Sequence, residues 1–405
     1  MGGALVLRGT SLFGLVVMVG IAWALSENRR AIRWRPVVWG LALQFILAIL
    51  ILRTGFGRAF FEAVNACFAV LTSASKEGSK FVFGKLTESY DIGAIVAFQV
   101  LPVIIFVSSL AAILQHLRII QAVVNAMAWV MRRTMGTSGA ETFAAALQVF
   151  LGIESLPASR DYLADMTRSE LFVIMVTFMG TIATSVMVAY ASFGAEPGHL
   201  LAASIMCAPS ALMISKLMIP ETGRPRTDGS TRIVVPIETR NVIDAASRGA
   251  SEGLNLALNV GAMLIAFIAL VYLADLVVKG VTGHTFASVM GWFFYPFAFL
   301  MGVPSSDVGT VAELLGKKTV LNEFLAYADF KPLVESGALH PRSVIIATYA
   351  LCGFANPGSL GILLGALTAM LPGRRAEIAG MGIKSLIAGT LTCFVTACIA
   401  GMLLA

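Results

Sequence analysis

The chain has 405 residues, 58% of them hydrophobic and only 13% charged, with a mean hydropathy of +0.85 and a net charge of +6. A soluble domain carries about 25% charged residues, so a soluble fold is excluded, and apolar runs longer than barrel strands make this an all-α polytopic membrane protein. The basic residues sit mostly in loops between apolar runs, which accounts for the charge without a nucleic-acid partner, and five cysteines without C-x-x-C spacing and four scattered histidines form no metal-binding pattern.

Residues 11–25 form the first apolar segment. Ala22-Trp23-Ala24 gives it the look of a signal peptide, but the positive charge follows it, at Arg29, Arg30, Arg33 and Arg35. That order favours a retained helix with its N-terminus outside. Residues 36–52 return across the membrane. In 56–71, Arg58, Glu62 and Asn65 recur at helical spacing opposite an apolar face, the pattern of a helix lying in the interface. Residues 92–114 span again. Tyr90-Asp91 supplies half of an intramembrane aspartyl protease pattern, but no Gly-x-Gly-Asp follows, so it reads as a helix cap.

The stretch 141–150 is apolar but about ten residues long, too short to cross a bilayer that needs roughly 20. Leu151-Gly152-Ile153-Glu154-Ser155-Leu156-Pro157 then turns into a second short helix ending near Asp165. This describes a re-entrant hairpin with Glu154 at its tip, and an ionisable group at membrane depth is a functional candidate. Residues 169–190 span, with a small, hydroxyl-rich patch at Gly180-Thr181-Ile182-Ala183-Thr184-Ser185 that either packs against a neighbour or marks an unwound segment. Residues 199–218 return. The arginine-rich stretch 221–253 is the best cytoplasmic loop, and 254–278 leaves again.

The hairpin pattern then recurs. Residues 308–315 are a short first arm, Gly316-Lys317-Lys318-Thr319 a turn, and 320–327 the second arm, with Glu323 near the tip. Lys318 is free to pair with a carboxylate or with a helix C-terminus. An apolar run from 344 to 371 follows, interrupted by Gly353, Asn356, Pro357, Gly358 and Ser359. Proline removes a backbone donor and glycine lowers the cost of leaving the helix. Broken backbone in lipid survives only where protein or a wet cavity satisfies it, so the break suits a polar ligand; the plainer alternative is a kinked helix with Asn356 bonded to a neighbour. Residues 383–404 exit.

One order thus appears twice: hairpin with a glutamate, broken span, plain span. The expected architecture is about eight transmembrane helices plus two re-entrant hairpins, an inverted repeat with broken helices, as in secondary transporters. Residues 1–135 form a scaffold region, 136–218 the first repeat, 219–280 a cytoplasmic loop and connecting span, and 281–405 the second repeat. Two carboxylates, an amide and hydroxyls suit a neutral, hydroxyl-rich ligand; Phe354 faces an apolar ring or simply packs.

Three long motifs are Leu351-Cys-Gly-Phe-Ala-Asn-x-x-Ser359, Lys318-Thr-Val-Leu-Asn-Glu-Phe-x-Ala-Tyr327 and Asn241-Val-Ile-Asp-Ala-Ala-x-x-Gly-Ala250, with Phe81-Val-Phe-Gly84 and Met166-Thr-x-Ser-Glu-Leu-Phe172 beside them. Over nearly the whole chain they resemble the concentrative nucleoside transporters. The resemblance implies a homotrimer in the plasma (bacterial inner) membrane, importing nucleosides by cation symport, not an enzyme and without a bound cofactor. It implies that Glu323, Asn356 and Ser359 hold ribose hydroxyls. An ungapped alignment puts Glu154 on the first-hairpin glutamate and Gly152 and Ile153 on the family's base-reading Gln and Thr; a one-gap alignment puts Ile153 on the Gln instead. The sodium-ligating Asn falls on Leu147, while Thr181 keeps a hydroxyl beside Ile182. These positions favour proton over sodium coupling through a hairpin carboxylate, Glu154, with Thr181 and Ile182 as the other coupling positions. The alternatives are a transporter of a different small polar solute and an intramembrane enzyme. The charge pattern places both termini outside.

Overall fold

A computed structural model describes residues 2–87, 96–158, 160–227 and 239–404. Tyr90, Asp91 and Arg232 lie outside the described residues. All regular structure among the described residues is helical: α1 (Gly2–Ala24), α2 (Trp34–Arg53), α3 (Gly55–Phe83), α4 (Leu101–His116, entered through a π-turn at Val96–Val100), α5 (Ile119–Met135), α6 (Gly139–Leu151), the single turns α7 (Ser155–Ala158) and α8 (Arg160–Leu163), α9 (Arg168–Gly180), α10 (Thr184–Ala191), α11 (Pro197–Met218), α12 (Val242–Thr282), α13 (Phe286–Leu300), α14 (Val308–Val320), α15 (Glu323–Glu335), α16 (Pro341–Leu351), α17 (Pro357–Met370) and α18 (Arg375–Leu403). Seven stretches among the described residues are long and apolar enough to span, one of them the α9–α10 pair, against the eight expected from the sequence; α17 is apolar but has only 14 residues.

The centre of the molecule is built from the helices that carry the breaks. Of the apolar stretch of α9–α10, 94% is buried, and of α11, 89%, against 6% for α12. Apolarity does not separate them, since a helix apolar all round suits either a packed core or a lipid-facing span, and the window of α12 is the more apolar; what separates them is how much of each is covered by other helices. α12 meets α4 through Gly249 and Gly253, four apart on one face; a Cβ at either would come within 2.8 Å of α4 atoms. This is the small-residue contact that membrane helices use for close approach.

Several elements differ from the sequence expectation. The interfacial helix placed at 56–71 runs through Phe83, with Phe61, Val64, Phe68, Leu71, Ser75 and Ser79 along its covered side. α12 has 41 residues, about 60 Å, twice the hydrocarbon thickness; its first turns, with the Arg248–Glu252 pair, extend beyond the apolar part. α5 and α13 occupy stretches read without helices. The second hairpin does not turn at Gly316–Thr319. α14 continues to Val320, and the turn is Leu321–Asn322. Gly316 serves packing, since its Cβ would lie 3.0 Å from that of Met290 on α13. Lys317 pairs with Asp329, and Lys318 turns inward.

The first hairpin and first broken helix are fastened at their starts. Ser138 with Glu141 and Thr167 with Glu170 each form a capping box. Lys216 at the end of α11 reaches Glu141 at 2.6 Å and Glu221 at 3.4 Å, all three buried. At the surface, Glu27 joins Arg168 (3.0 Å) to Lys384 (2.6 Å). Lys216→Ala strands Glu141 without its cation and is expected to destabilise by roughly 3–5 kcal/mol. Glu27→Gln removes two surface ion pairs and costs about 1 kcal/mol or less. Thermal unfolding of the two variants in detergent checks the ranking.

Candidate functional site

The two broken helices cross back to back at their breaks. Gly353 has φ +111°, and a Cβ there would lie 2.8 Å from Met179 O and 2.9 Å from Gly180 C. Both the conformation and the close approach require glycine. Cys393 of α18 sits behind the crossing, its thiol directed at Cys352 O and, at 3.6 Å, at Gly180 O. The free ends of the crossing face a cavity of about 110 Å³, room for several water molecules. Its walls are the tips of both hairpins, the starts of α10 and α17, and one side of α12.

On one side of this cavity lies a preset acceptor. Glu323 opens α15 just after the turn, because Asn322 caps that helix by accepting Leu325 N–H at 2.9 Å. Asn356 caps α17 the same way, accepting Ser359 N–H at 2.8 Å, and Pro357 follows at the first helical position, where its missing donor costs nothing. Capping uses only the Asn356 oxygen. Its Nδ2 donates to Glu323 Oε2 at 2.7 Å, while the Tyr190 hydroxyl donates to Glu323 Oε1 at 2.7 Å. Tyr190 is fully buried and stacked on Tyr327, with ring centroids 4.7 Å apart. The carboxylate is thus held by one donor from α10 and one from the second break. Two oxygens offer about four acceptor positions, more than the Tyr190 and Asn356 donors occupy.

The opposite wall is different. Glu154 reaches the cavity from a 3₁₀ turn after α6 and has no side-chain hydrogen bond or ion pair among the described residues. Ile153 lines the cavity beside it. Phe354 packs on Phe178 with ring centroids 5.5 Å apart, and both line the cavity.

Of the residues singled out from the sequence, the structure brings Ile153, Glu154, Glu323, Phe354, Asn356 and Ser359 to one cavity. It does not bring Gly152 there. Gly152 is buried behind the tip with φ +57°, its absent Cβ 2.8 Å from that of Ala183; it is a close-packing position, not a ligand-facing one. Thr181 and Ile182 are buried at the first break, outside the cavity lining. The Thr181 hydroxyl donates within its own helix to Thr177 O (2.8 Å), and Ser204 bonds the backbone of Ile182. Sequence reasoning missed Tyr190, Asn322 and the α12 face with Asn259, Met263 and Phe267. It also missed Gln148, wholly buried one turn before Gly152, with neither amide atom hydrogen-bonded among the described residues.

The family models described as "Na+ dependent nucleoside transporter" match residues 13–86 (N-terminus) and 199–401 (C-terminus), and one described as "Nucleoside recognition" matches 97–197. The chain is 41% identical to the uncharacterized transporter YutK of Bacillus subtilis, over 96% of this chain and 98% of that one. It is 40% identical to solute carrier family 28 member 3 of Eptatretus stoutii over 96% of its own length and 60% of that protein's, so the chain spans about three fifths of that animal relative. Its fold is similar to the solved structure of CNTnw in an inward-facing, substrate-bound state, with a TM-score of 0.92, 36% identity and 98% of both chains covered.

Gly353→Ala is expected to lower the unfolding temperature by an amount equivalent to more than about 2 kcal/mol, from strain and overlap together. Gly365→Ala, in the interior of α17 with open space around it, is the control and is expected to be neutral or to stabilise by up to about 1 kcal/mol. Paired melting curves compare them.

Proposed function

Since the chain belongs to the concentrative nucleoside transporter family, we propose that it imports nucleosides by cation symport across a plasma membrane, the bacterial inner membrane, with both termini outside. Residues 1–135 and 219–280 frame two repeats, 136–218 and 281–405, and the protein works as a homotrimer with one site in each protomer. The substrate lies in the cavity between the hairpin tips.

The observation that carries this reading is the state of Glu323. With Tyr190 and Asn356 each donating to one oxygen, acceptor capacity is left on the two oxygens. A pair of adjacent hydroxyls, as on ribose, suits it, and Ser359 beside Asn356 offers a further hydroxyl. The base lies toward Phe354 and Ile153, where an aromatic face and an aliphatic side chain favour stacking and contact over hydrogen-bond readout. Discrimination among bases is therefore weak, and uridine and adenosine compete for one site.

The coupling ion follows from what is unpaired. Glu154 stands at an apolar wall without a partner among the described residues, and burying a bare charge there is costly. Taking up a proton together with the substrate removes that cost, which supports proton coupling, the favoured reading. A second reading is sodium coupling. The amide of Gln148 is buried and unbonded, a state worth about 1–3 kcal/mol of penalty, and near it the first break ends a half-helix whose carbonyls suit a cation.

The test is uptake of radiolabelled uridine and adenosine into proteoliposomes under separately imposed proton and sodium gradients. Proton-driven uptake that loses its gradient dependence in Glu154→Gln supports the first reading. Sodium-driven uptake lost in Gln148→Leu supports the second. No uptake of either nucleoside under either gradient, from folded protein, overturns the nucleoside assignment. Glu323→Gln is expected to weaken uridine binding 30-fold or more, about 2 kcal/mol or above. Tyr190→Phe keeps the ring stack, loses one donor, and is expected to weaken it about 5- to 20-fold. Titration calorimetry measures both.

A further inference from the structure

At the second break, the end of α16 is not closed by its own backbone. Cys352 is extended, and the last carbonyls of a helix lack intrahelical partners. Side chains supply them instead. The Tyr327 hydroxyl donates to Thr348 O at 3.0 Å, and Lys318 Nζ donates to Ala350 O at 2.9 Å and Cys352 O at 3.3 Å. Lys318 is 1% exposed, and it lies close enough to Glu323 for its charge to act on that carboxylate. Its neighbour Lys317 stays at the surface with Asp329. A buried lysine is expensive and persists where carbonyls and a negative charge repay it. The first break holds nothing comparable. Among the described residues, its C-terminal carbonyls receive hydroxyl, thiol and backbone donors, and no lysine or arginine.

In transporters built from discontinuous helices, half-helix C-terminal ends and unwound carbonyls are where a free cation binds. We propose that Lys318 is a tethered cation: its ammonium fills that place at the second break and positions the 352–356 segment that carries Phe354 and Asn356. Two consequences follow. Shortening Lys318 leaves a vacant site for a small monovalent cation of the alkylammonium class. The loss is felt at the substrate even though Lys318 is absent from the cavity lining, so it is a positioning residue and not a binding one. The substrate readout rests on the nucleoside assignment above; the backbone readout does not.

The experiment compares wild type, Lys318→Met and Lys318→Ala. Without substrate, amide hydrogen exchange over 350–356 is expected to be at least tenfold faster in both variants. Propylammonium, which matches the atoms removed by Lys318→Ala, restores protection in that variant, whereas 1-propanol of the same shape does not. Uridine KM is expected to rise at least tenfold in Lys318→Met with a smaller change in maximal rate, and propylammonium restores it in Lys318→Ala. Exchange and KM within twofold of wild type in Lys318→Met overturn the proposal, as does equal rescue by 1-propanol, which would mean filled space and not charge. If Lys318→Ala does not hold its fold unaided, a melting temperature raised by propylammonium and not by 1-propanol supports the proposal, and no difference between them overturns it. A wild type that takes up no nucleoside refutes the substrate assignment while leaving the exchange result to judge Lys318.

Discussion

Two helices interrupted back to back inside an apolar core leave half-helix ends that must find partners, and the rest of the structure is arranged around that requirement. In a medium without water, each orphaned N–H or C=O costs free energy comparable to a lost hydrogen bond. The chain answers at four places. Asn356 caps the start of α17. Lys318 and Tyr327 close the end of α16. Ser204 bonds both backbone groups of Ile182 in the first break. Gly353 permits the two breaks to touch. Of these groups Asn356 also lines the cavity, while Lys318, Tyr327, Ser204 and Gly353 act behind it, so the backbone of the breaks is satisfied without crowding the space the cavity occupies.

The two hairpin glutamates show how one residue type takes two roles through its surroundings. Glu323 is gripped by donors from α10 and from the second break, which fixes its direction and leaves acceptor capacity on its oxygens. Glu154 has no such grip among the described residues, and Leu151 and Ile153, its chain neighbours in the lining, are apolar. A fixed carboxylate suits recognition of hydroxyls. A loosely held one at an apolar wall suits a change of protonation. The division of labour proposed for this protein rests on that contrast, and the asymmetry at the breaks runs parallel to it, with a lysine at the second and an unbonded Gln148 amide near the first.

Much of this was legible in the sequence because breaks in apolar runs are marked by residues with strong local preferences. Gly353, Asn356 and Pro357 announce a helix end and a helix start, and Glu154 and Glu323 stand out against hydrocarbon. The order of hairpin, broken span and plain span could be read twice. What stayed hidden has physical reasons. Tyr190 lies in a segment buried all round, where no periodicity distinguishes one face from another. α13 has only 15 residues, with Gly291 and Pro296 inside it, so it falls short of a spanning run. α5 alternates apolar and polar faces and leaves no hydropathy peak. The Gly316–Thr319 stretch has the composition of a turn, but its polarity belongs to a lysine that points inward. Gly152 matched a base-reading position in an alignment, yet its backbone conformation and contact with Ala183 give it a packing role.

Every role proposed for these residues depends on where a nucleoside sits. A structure of the protein determined with saturating uridine tests this most directly. Ligand density is expected between the hairpin tips, with the ribose hydroxyls within hydrogen-bond distance of Glu323 and Asn356 and the base against Phe354. An empty cavity under saturating uridine, or density bound elsewhere with the Glu323, Tyr190 and Asn356 contacts undisturbed, would contradict it.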